Sequence, residues 1–415
     1  MTWKTVTLKS VCKKVTDGTH DTPKNIASGY PLIKGKDISN GYIDFKNCGH
    51  ISDAEHQIII KRSKPEKGDV LFANIGNSIG DCVYVNTDRP FSIKNIALFK
   101  PDQEIVNPRF LYYTVNNKKF IGEILAVKSG AAQPFVSLET LRRHKINFPC
   151  LSIQTKIANI LSAYDDLIEN NLKLIKLLEE MAQITYEEWF VRLRFPSHEQ
   201  TKIDTETGLP EGWEYLPFED LIDFKEGPGL RNWQYRDKGI PFLNIRVIKD
   251  GDVDVTKVQF LDPNEVDTKY KHFLLIENDH VISSSGTLGR LVTIRNCHLP
   301  LCLNTSLIRM RVKNSRYGTW LIKHMLLGTF FQNALTSYAN GSAQVNFGPI
   351  HLKQIKLIAP PTELAIQYEK VAAPIEESIK ILRDQNGRLK EARDILLPRL
   401  MTGVIDVSTL MKDAA

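Results

Sequence analysis

The sequence predicts a mixed α/β protein in which two similar domains are joined by two long helical segments that pack as an antiparallel coiled coil. The chain repeats itself at an offset of about 210 residues, and β-rich runs accompany helical patterns in each copy. Two further segments carry heptad spacing. The predicted boundaries are 1–150 and 211–360 for the domains, 151–195 for a central helical spacer, 196–210 for a linker, and 361–415 for a C-terminal helical spacer and tail.

The repeat consists of matches that occur in the same order in both copies. Trp3 pairs with Trp213, and Asp69 pairs with Asp279, both at an offset of 210. The segment GAAQ, which begins at Gly130, matches GSAQ, which begins at Gly341. Chance explains any one of these matches, but not their shared order, so a duplication is indicated.

Short β-rich runs bounded by Gly, Asn and Pro predict the strands of each copy. These runs occupy 69–73, 82–85 and 96–99 in the first copy and 280–283, 291–294 and 306–312 in the second. Helical patterns begin at Pro108 and cover 319–335. Each copy is therefore expected to hold a mixed, twisted sheet with helices.

Two apolar seams, with spacings that alternate four and three, predict long helices. Pro374 is expected to begin the second helix. Proline has no backbone N–H, and in the first turn of a helix that group would have no intrahelical partner, so no hydrogen bond is lost. The helices either cover their own domains as ordinary amphipathic helices or pack together, and a polar Asn in each seam favours packing together. The seam positions are Ile157, Leu161, Ile168, Asn171, Ile175, Leu178, Ile375, Ile379, Leu382, Asn386, Leu389 and Leu396.

The charge is unevenly distributed along the chain. The net charge of +6 divides into +8 on residues 2–150, −4 on 151–210, +3 on 211–360 and −1 on 361–415. Positive charge on the two copies is a weak indication of nucleic-acid binding. No apolar run reaches the ~18–20 residues that cross a bilayer, and six irregularly spaced cysteines do not form a disulfide framework. A cytoplasmic, multidomain protein is expected.

Motifs of nucleotide-driven or methyl-transfer enzymes do not occur in the sequence. It contains neither a Gly-x-x-x-x-Gly-Lys-Ser/Thr phosphate loop nor an Asn/Asp-Pro-Pro-Tyr/Phe tetrapeptide. Cys297, His298 and Cys302 come nearest to a metal cluster, but without a second matching pair they are better explained as buried thiols or loop residues. We therefore expect no catalytic residue, no metal and no bound cofactor in this chain.

Three stretches resemble the specificity subunit of type I restriction–modification systems (the HsdS family). They are QTKIANILSAYDDLIENNLKLIKLLEEMAQ running into YEEWFVRLRFP, then TGLPEGWEYLPFEDL, and finally ARDILLPRLMTG. GAAQPFV and GSAQVNF also fit the family pattern. The resemblance covers essentially the whole chain, and it implies two target-recognition domains, each reading one half of a bipartite sequence in double-stranded DNA.

The resemblance also implies that the chemistry belongs to partner subunits. The helices would set the gap between half-sites and dock two modification (methyltransferase) subunits, which bring S-adenosylmethionine. Restriction subunits would bring ATP- and magnesium-dependent translocation and cleavage. Two other functions stay open. A coiled-coil adaptor that binds only proteins leaves the basic domains unexplained, and the recognition part of a fused nuclease or methyltransferase requires motifs that the chain does not contain.

Polar loops that follow strand-like runs or contain Gly are the candidate DNA contacts, and a solvated surface loop is the alternative for each. Arg231 to Arg236 form the best base-reading candidate, because Arg reads guanine and Asn or Gln reads adenine; alternatively, Trp233 packs that loop onto the core. The candidates are Thr19, His20, Lys34, Lys36, Asn74, Asn77, Lys128 and Gln133 in the first domain, and Arg231, Asn232, Gln234, Arg236, Asn244, Arg246, Ser285, Thr287, Arg290, Asn340, Ser342 and Gln344 in the second.

Aromatic residues cluster where the first long helix ends. Trp189, Phe190 and Phe195 are predicted to plug the space between helix and domain rather than to form a partner-docking surface. Leu397, Leu400 and Met401 present the same choice at the C-terminal end.

Overall fold

A computed structural model describes residues 3–39, 41–128, 134–249, 251–339 and 347–408. The chain forms two compact units. Unit 1 comprises residues 1–169 and 387–415, and unit 2 comprises residues 170–386. The division between the units falls inside the two long helices, so each unit contains a part of both.

Apart from its parts of the two long helices, unit 1 takes its described strands and helices from the first copy of the repeat. Its strands are β1 Lys4–Thr7, β2 Cys12–Asp17, β3 Tyr30–Lys34, β4 Ile38–Ser39, β5 Tyr42–Ile43, β6 Gly49–Ile51, β7 Val70–Phe72, β8 Cys82–Tyr84, β9 Ser92–Lys94, β10 Ala97–Pro101 and β11 Lys145–Phe148. Its helices are α1 Asp53–Arg62, α2 Pro108–Val115, α3 Lys118–Ala126 and α4 Leu138–Arg143, followed by α5 Leu151–Tyr186, which it shares with unit 2.

Unit 2 contains the second copy. Its strands are β12 Glu214–Pro217, β13 Ile222–Glu226, β14 Ile240–Leu243, β15 Ile248–Lys249, β16 Asp252–Val253, β17 Gln259–Leu261, β18 His280–Ser283, β19 Leu291–Thr293, β20 Cys302–Leu303, β21 Leu307–Val312 and β22 Lys356–Ala359. Its helices are α6 Phe218–Leu221, α7 Pro263–Glu265, α8 Thr319–Leu327, α9 Thr329–Ala339 and α10 Pro349–Leu352, followed by the shared α11 Thr362–Met401.

The sheets of the two units have the same topology. The antiparallel order β2–β10–β7–β8 in unit 1 corresponds to β13–β21–β18–β19 in unit 2. The order β6–β3–β9, whose β3 and β9 run parallel, corresponds to β17–β14–β20, and the pairs β1–β11 and β4–β5 correspond to β12–β22 and β15–β16. The predicted internal repeat is therefore confirmed, and so are the predicted β-rich runs.

Each four-stranded sheet forms a core around a central strand, β7 or β18, whose residues are all buried. All three residues of β7 are buried, as are all four of β18. Leu98 and Phe99 of β10 are fully buried beside them. Burying the apolar side chains among them, such as Leu71, Val281 and Ile282, contributes roughly 1.5–3 kcal/mol each.

The helix boundaries differ from the predicted ones at two places. Pro374 does not begin the second long helix, because α11 begins at Thr362 and contains Pro374 in its interior. The heptad seam was therefore a poor guide to the helix start, which precedes the seam. The pattern over 319–335 forms two helices, α8 and α9, because Gly328 adopts an extended backbone (ψ 151°) between them.

Within unit 2, the long helices pack antiparallel through the two seam asparagines. Asn171 Nδ2 donates to Asn386 Oδ1 at 2.9 Å, and both side chains are buried. Further along, Arg383 Nη2 donates to Glu179 Oε1 at 2.8 Å. A buried Asn pair satisfies itself only in one register, so it selects this alignment of the helices.

Within unit 1, the remaining parts of the same helices also pack antiparallel. Leu161 of α5 is fully buried in a core that includes Leu400 of α11. Nearer the middle of the helices, Arg393 Nη1 donates to Asp165 Oδ1 at 2.6 Å. The predicted antiparallel coiled coil is thus confirmed, and all twelve predicted seam residues are buried or partly buried.

One carboxylate in each copy joins the first helix after the sheet to the long helix that follows. In unit 1, Tyr113 of α2 donates its hydroxyl to Asp165 Oδ2 of α5 at 2.6 Å. In unit 2, Glu376 of α11 contacts His324 Nε2 at 2.9 Å and Lys323 Nζ at 2.5 Å, both on α8. The carboxylates lie 211 residues apart, so the duplication extends into the long helices.

The aromatic cluster at the end of α5 is a plug, as predicted. Phe190 and Phe195 are buried against Trp213, and Trp189 stacks edge-on with Tyr368 of α11, with ring centroids 5.6 Å apart. In unit 1, Leu400 is likewise buried, with Leu397 and Met401 packed around it. No helix in the described part of the chain is long and apolar enough to cross a bilayer.

Candidate nucleic-acid interface

In unit 1, four polar turns meet at one end of the parallel strands β3 and β9. Lys34 ends β3 and pairs with Lys94 at the end of β9. The backbone of Thr19 bonds to Ile93 O at 3.0 Å and to Asn95 N at 3.2 Å. We call the surface formed by residues 19–22, 34–36, 76–78 and 94–95 the unit 1 face.

Two glycines allow these turns to approach closely. A Cβ on Gly18 would lie 2.1 Å from Ile93 O, and a Cβ on Gly35 would lie 2.6 Å from Ser78 Oγ. Larger residues at these positions would push the loop before Thr19 and the turn after Lys34 away from their neighbours. The glycines therefore hold Thr19 and Lys36 on the same face as Asn77.

The predicted residues of this face differ in how freely they can contact a ligand. Lys36 and Asn77 are exposed. Lys34 and Thr19 are half-buried, and Thr19 Oγ1 accepts a bond from Asp21 N at 3.1 Å. The two ring nitrogens of His20 contact Asn95 Oδ1 and Asp17 Oδ2, both at 2.9 Å, so the ring is fixed.

Asn74 corrects the sequence prediction. It is only 4% exposed, and its Nδ2 donates to Val136 O at 2.9 Å. The amide was read as a loop group because it follows the apolar run of β7, yet it fixes the segment after Pro134 to the sheet. Asn74 is therefore an interior residue that cannot reach DNA.

The corresponding turns of unit 2 form a second surface, which we call the unit 2 face and define as residues 244–246 and 284–290. A Cβ on Gly286 would lie 3.7 Å from Ile245 Cδ1, so the two turns are adjacent. Asn244 Oδ1 accepts a bond from the backbone N–H of Arg246 at 2.9 Å. The Arg246 side chain is exposed. Thr287 and Arg290 are also exposed, and Ser285 is half-buried.

The loop 227–239 borders the unit 2 face. Gly227 lies against the backbone of Asn304, and Pro228 O accepts a bond from Thr305 N at 3.1 Å. Asn304 directly follows β20, the parallel partner of β14 that leads into Asn244. The loop thus contacts the unit 2 face at Asn304, the residue of unit 2 that is equivalent to Lys94 of unit 1.

Within this loop, the predicted base-reading residues separate into two groups. Arg231, Asn232 and Arg236 are exposed. Gln234 is 3% exposed, and its Nε2 donates to Glu265 Oε1 at 2.8 Å. The prediction for Gln234 is therefore corrected, because the side chain supports the loop from inside.

Trp233 is the residue of this loop that sequence reasoning missed. The alternative interpretation placed it on the core, but it is 73% exposed. Lys94 and Asn95 were missed in unit 1. The parallel pairing of β3 with β9 places Lys94 beside Lys34, and no local pattern in the sequence reports that pairing.

Four predicted contacts lie outside the described residues, namely Gln133, Asn340, Ser342 and Gln344. The segments that flank them attach to the faces in the same way in both units. Gly76 N donates to Pro134 O, and Val136 N donates to Asn74 O, both at 2.8 Å. Phe347 N donates to Ser284 O at 2.9 Å in unit 2.

Lys128 is exposed at the end of the segment that follows α3, and it stays a predicted phosphate contact. We expect Lys128→Ala to lower affinity for all duplex sequences alike and to reduce the slope of log affinity against log salt by about one, because one phosphate contact releases about one counterion. Fluorescence anisotropy of a labelled duplex over a salt series measures this. Lys145→Ala, an exposed lysine on β11, is the charge-matched control and should leave the slope unchanged.

A cavity of about 220 Å³ in unit 1 lies where α2 meets the long helices. Its charged groups bind one another, since Arg109 Nη2 donates to Asp166 Oδ1 at 2.8 Å and Arg393 pairs with Asp165. Burial raises the pKa of Tyr113, so its phenol stays protonated and donates to Asp165. Within unit 1, these groups brace α2 against the long helices.

Cys297, His298 and Cys302 are the residues that come nearest to a metal cluster in the sequence. Among the described residues, no group of three His, Cys, Asp or Glu side chains could hold a metal ion. Cys302 is buried as predicted, which raises the pKa of its thiol to about 12. Cys297 is exposed rather than buried, and His298 Nδ1 accepts a bond from Arg295 N at 3.1 Å.

Comparison with known proteins gives one consistent family. A family model described as "Type I restriction modification DNA specificity domain" matches residues 1–180 and again 210–373. The type I restriction enzyme MjaIX specificity subunit of Methanocaldococcus jannaschii is 26% identical over 92% of this chain and 88% of that protein. The HindI specificity subunit of Haemophilus influenzae is 22% identical over 93% of this chain and 98% of that protein.

A solved structure shares the fold. The S subunit of a type I restriction–modification system from M. genitalium superposes with a TM-score of 0.55, covering 96% of each chain at 17% identity. This similarity supports the fold of two copies and long helices described above.

Proposed function

Because the chain belongs to the type I restriction modification DNA specificity domain family, we propose that it is the DNA-recognition subunit of a type I restriction–modification complex. Each copy would read one half of a bipartite target in double-stranded DNA, through the unit 1 face and the unit 2 face. The observation that carries this proposal is that one fold occurs twice with different polar side chains at equivalent positions. Lys34 and Lys36 in unit 1 correspond to Asn244 and Arg246 in unit 2.

The unit 1 face and the unit 2 face carry different polar side chains on the same fold, which suits a DNA target whose two halves differ in sequence. Lysine binds an anion as a flexible point charge, whereas the planar groups of Arg and Asn suit bidentate pairing with base edges. The first half-site would therefore be held more by phosphate contacts, and the second more by base contacts from loop 227–239. A protein-only adaptor would gain nothing from keeping both basic faces.

The proposal includes partners for the chemistry, because this chain would catalyse nothing by itself. Two modification subunits would supply S-adenosylmethionine and methyl transfer, and restriction subunits would supply ATP- and magnesium-dependent translocation and cleavage. The assembled complex would then act as an adenine-specific methyltransferase and endonuclease in the cytoplasm. The S subunit itself would bind no cofactor.

A second apolar stripe on α5 supports docking of the modification subunits on the helices. Leu174, Leu177, Met181 and Ile184 follow heptad spacing, yet they are 44%, 62%, 46% and 58% exposed. They lie on α5 beside the seam that already packs on α11. Exposed apolar stripes of this length are typical of protein interfaces.

We also propose that the helices set the gap between half-sites, since α5 and α11 each contribute residues to both units. Deleting one heptad from each helix should shorten the preferred gap by about three base pairs, because seven residues rise about 10 Å and DNA rises about 34 Å per turn of 10–10.5 base pairs. Selection of bound duplexes with varied gaps measures this. Deleting a heptad from α5 alone is the control, and it should abolish binding by breaking the Asn171–Asn386 register.

An unchanged gap in the double deletion would contradict the spacer role while leaving DNA recognition intact. The recognition function itself is tested by mapping methylated adenines in the host genome with and without this chain. We expect a bipartite methylated motif that is lost when the chain is removed and restored when it is returned. Methyl transfer or cleavage by the purified chain alone would overturn the proposal.

A further inference from the structure

Trp233 is a large apolar side chain that the fold leaves in water. It is 73% exposed, whereas Trp213 and Trp320 of the same unit are each 7% exposed. Trp3 and Trp189 are partly buried against the cores. Exposing an indole forgoes one of the largest gains from burial that a side chain can offer, so its position requires an explanation.

Hydrogen bonds within the loop and to the domain keep the Trp233 side chain exposed. Trp233 lies in the middle of a 3-10 turn, Asn232–Gln234. The residue that follows it in this turn, Gln234, is buried inside the domain. Gln234 Oε1 accepts a bond from Arg231 N at 2.9 Å, and its Nε2 donates to Glu265 Oε1 at 2.8 Å and to Tyr270 Oη at 3.0 Å. With the residue after it directed inward, the indole is held outward.

Arg236 closes the other side of the turn. Its Nη1 donates to Trp233 O at 2.9 Å and to Tyr235 O at 3.1 Å. The guanidinium keeps further N–H groups for another acceptor. The indole is therefore presented on a braced support, and little conformational freedom would be lost when it binds.

The surroundings of the indole are cationic. Arg231, Arg236 and Lys238 are all exposed within the same loop, with Asp237 between the last two. Lys and Asp are depleted at protein–protein interfaces relative to the rest of the surface, and this loop exposes Lys238 and Asp237 close to the indole. Positive charge around a flat ring suits a polyanion that offers stacked π-faces, which is what duplex DNA provides at a base step.

We infer that Trp233 contacts bases of the second half-site, with its ring as a wedge at a base step and with Arg231 and Arg236 on the flanking phosphates. The inference rests on the proposed DNA-recognition function. The equivalent loop of unit 1, residues 18–28, contains no Phe, Tyr or Trp. The wedge is therefore a property of one half-site, and it adds specificity through the deformability of the step it enters.

The test uses the full chain and a labelled duplex that carries the methylated motif found by genome mapping. Trp233→Ala should weaken binding by about tenfold, the loss typical of removing one aromatic–base stack. Trp233→Phe should recover most of the affinity, because it keeps a ring. The loss should vanish on a duplex whose second half-site is scrambled, and Tyr215→Ala, a half-exposed aromatic on β12, should bind like the parent chain.

Acrylamide quenching supplies a direct readout of the indole. In the free chain, quenching should fall markedly on Trp233→Phe, since the other described indoles are buried or partly buried. Saturating motif duplex should protect the parent chain to the same extent. If the duplex binds while Trp233 stays as quenchable as before, or if modification subunits protect it without DNA, the inference is overturned. If the parent chain binds no duplex in the anisotropy assay, the proposed function itself fails.

Discussion

Replacing Glu376 by Gln is expected to lower the free energy of unfolding of unit 2 by about 3 kcal/mol, the usual cost of removing one member of a buried ion pair. Glu376 is 2% exposed and binds Lys323 and His324. Burial lowers the pKa of His324, so the imidazole stays neutral and Lys323 supplies the positive charge. The glutamine would leave that buried ammonium without a counter-charge.

The measurement is denaturant unfolding followed by tryptophan fluorescence, which reports mainly on unit 2 because four of the five tryptophans lie there. Glu377→Gln is the matched control. Glu377 is the next residue on α11, it is exposed, and its carboxylate lies 3.5 Å from Lys380 Nζ. Such a surface pair contributes at most about 1 kcal/mol, and equal losses in the two variants would contradict the anchoring role of Glu376.

The same variant has a pH signature. Burial acts to raise the pKa of Glu376, but the hydrogen bond from His324 and the charge of Lys323 lower it to about 2. In the unfolded chain a glutamate titrates near ~4.3. Its stabilising contribution is therefore complete above that pH and is lost as the pH falls through about 2. Glu376→Gln should lack this part of the acid dependence, and Glu377→Gln should retain it.

The double change Arg231→Ala and Arg236→Ala should weaken binding to the motif duplex by ~2 kcal/mol or more, because in the proposed complex each arginine would contact a base or phosphate of the second half-site. Arg236 also braces the loop through Trp233 O and Tyr235 O. Its loss should therefore relax discrimination at the second half-site as well. Anisotropy titrations at fixed salt, on the motif duplex and on single-base variants, measure both effects.

A charge-matched control separates the loop from general electrostatics. Arg316 and Lys353 are exposed elsewhere in unit 2, and Arg316→Ala with Lys353→Ala removes the same net charge. We expect that pair to lower affinity slightly and equally on all duplexes. If the two double variants behave alike, loop 227–239 has no special role in recognition.

Features that depend on the periodic burial of residues along the chain could be predicted from the sequence. Asn171 and Asn386 were predicted from heptad spacing alone, and they meet at 2.9 Å. The apolar run of β7 and the β-rich run of β18 mark strands whose residues are all buried. The start of α11 was misplaced at Pro374, since the helix runs on past a residue that is usually found in a first turn.

Single polar side chains in loops were predicted less well. Asn74 and Gln234 look like ligand-binding groups in the sequence, but both are interior hydrogen-bonding residues. For Trp233 the sequence leaves open whether it packs on the core, and the structure shows it exposed. A loop residue points inward or outward according to partners that are distant in sequence, such as Glu265 and Tyr270 for Gln234.

By itself, the sequence determined the duplication, the two antiparallel helices and the family resemblance, because periodic burial and repeated order are recorded residue by residue along the chain. The tertiary structure decided which polar residues of each copy face outward, since that depends on contacts between segments far apart in the chain. Gly35 against Ser78 and Gly227 against Asn304 are such contacts. They bring separate turns onto one face, and no local pattern reports that two turns will meet.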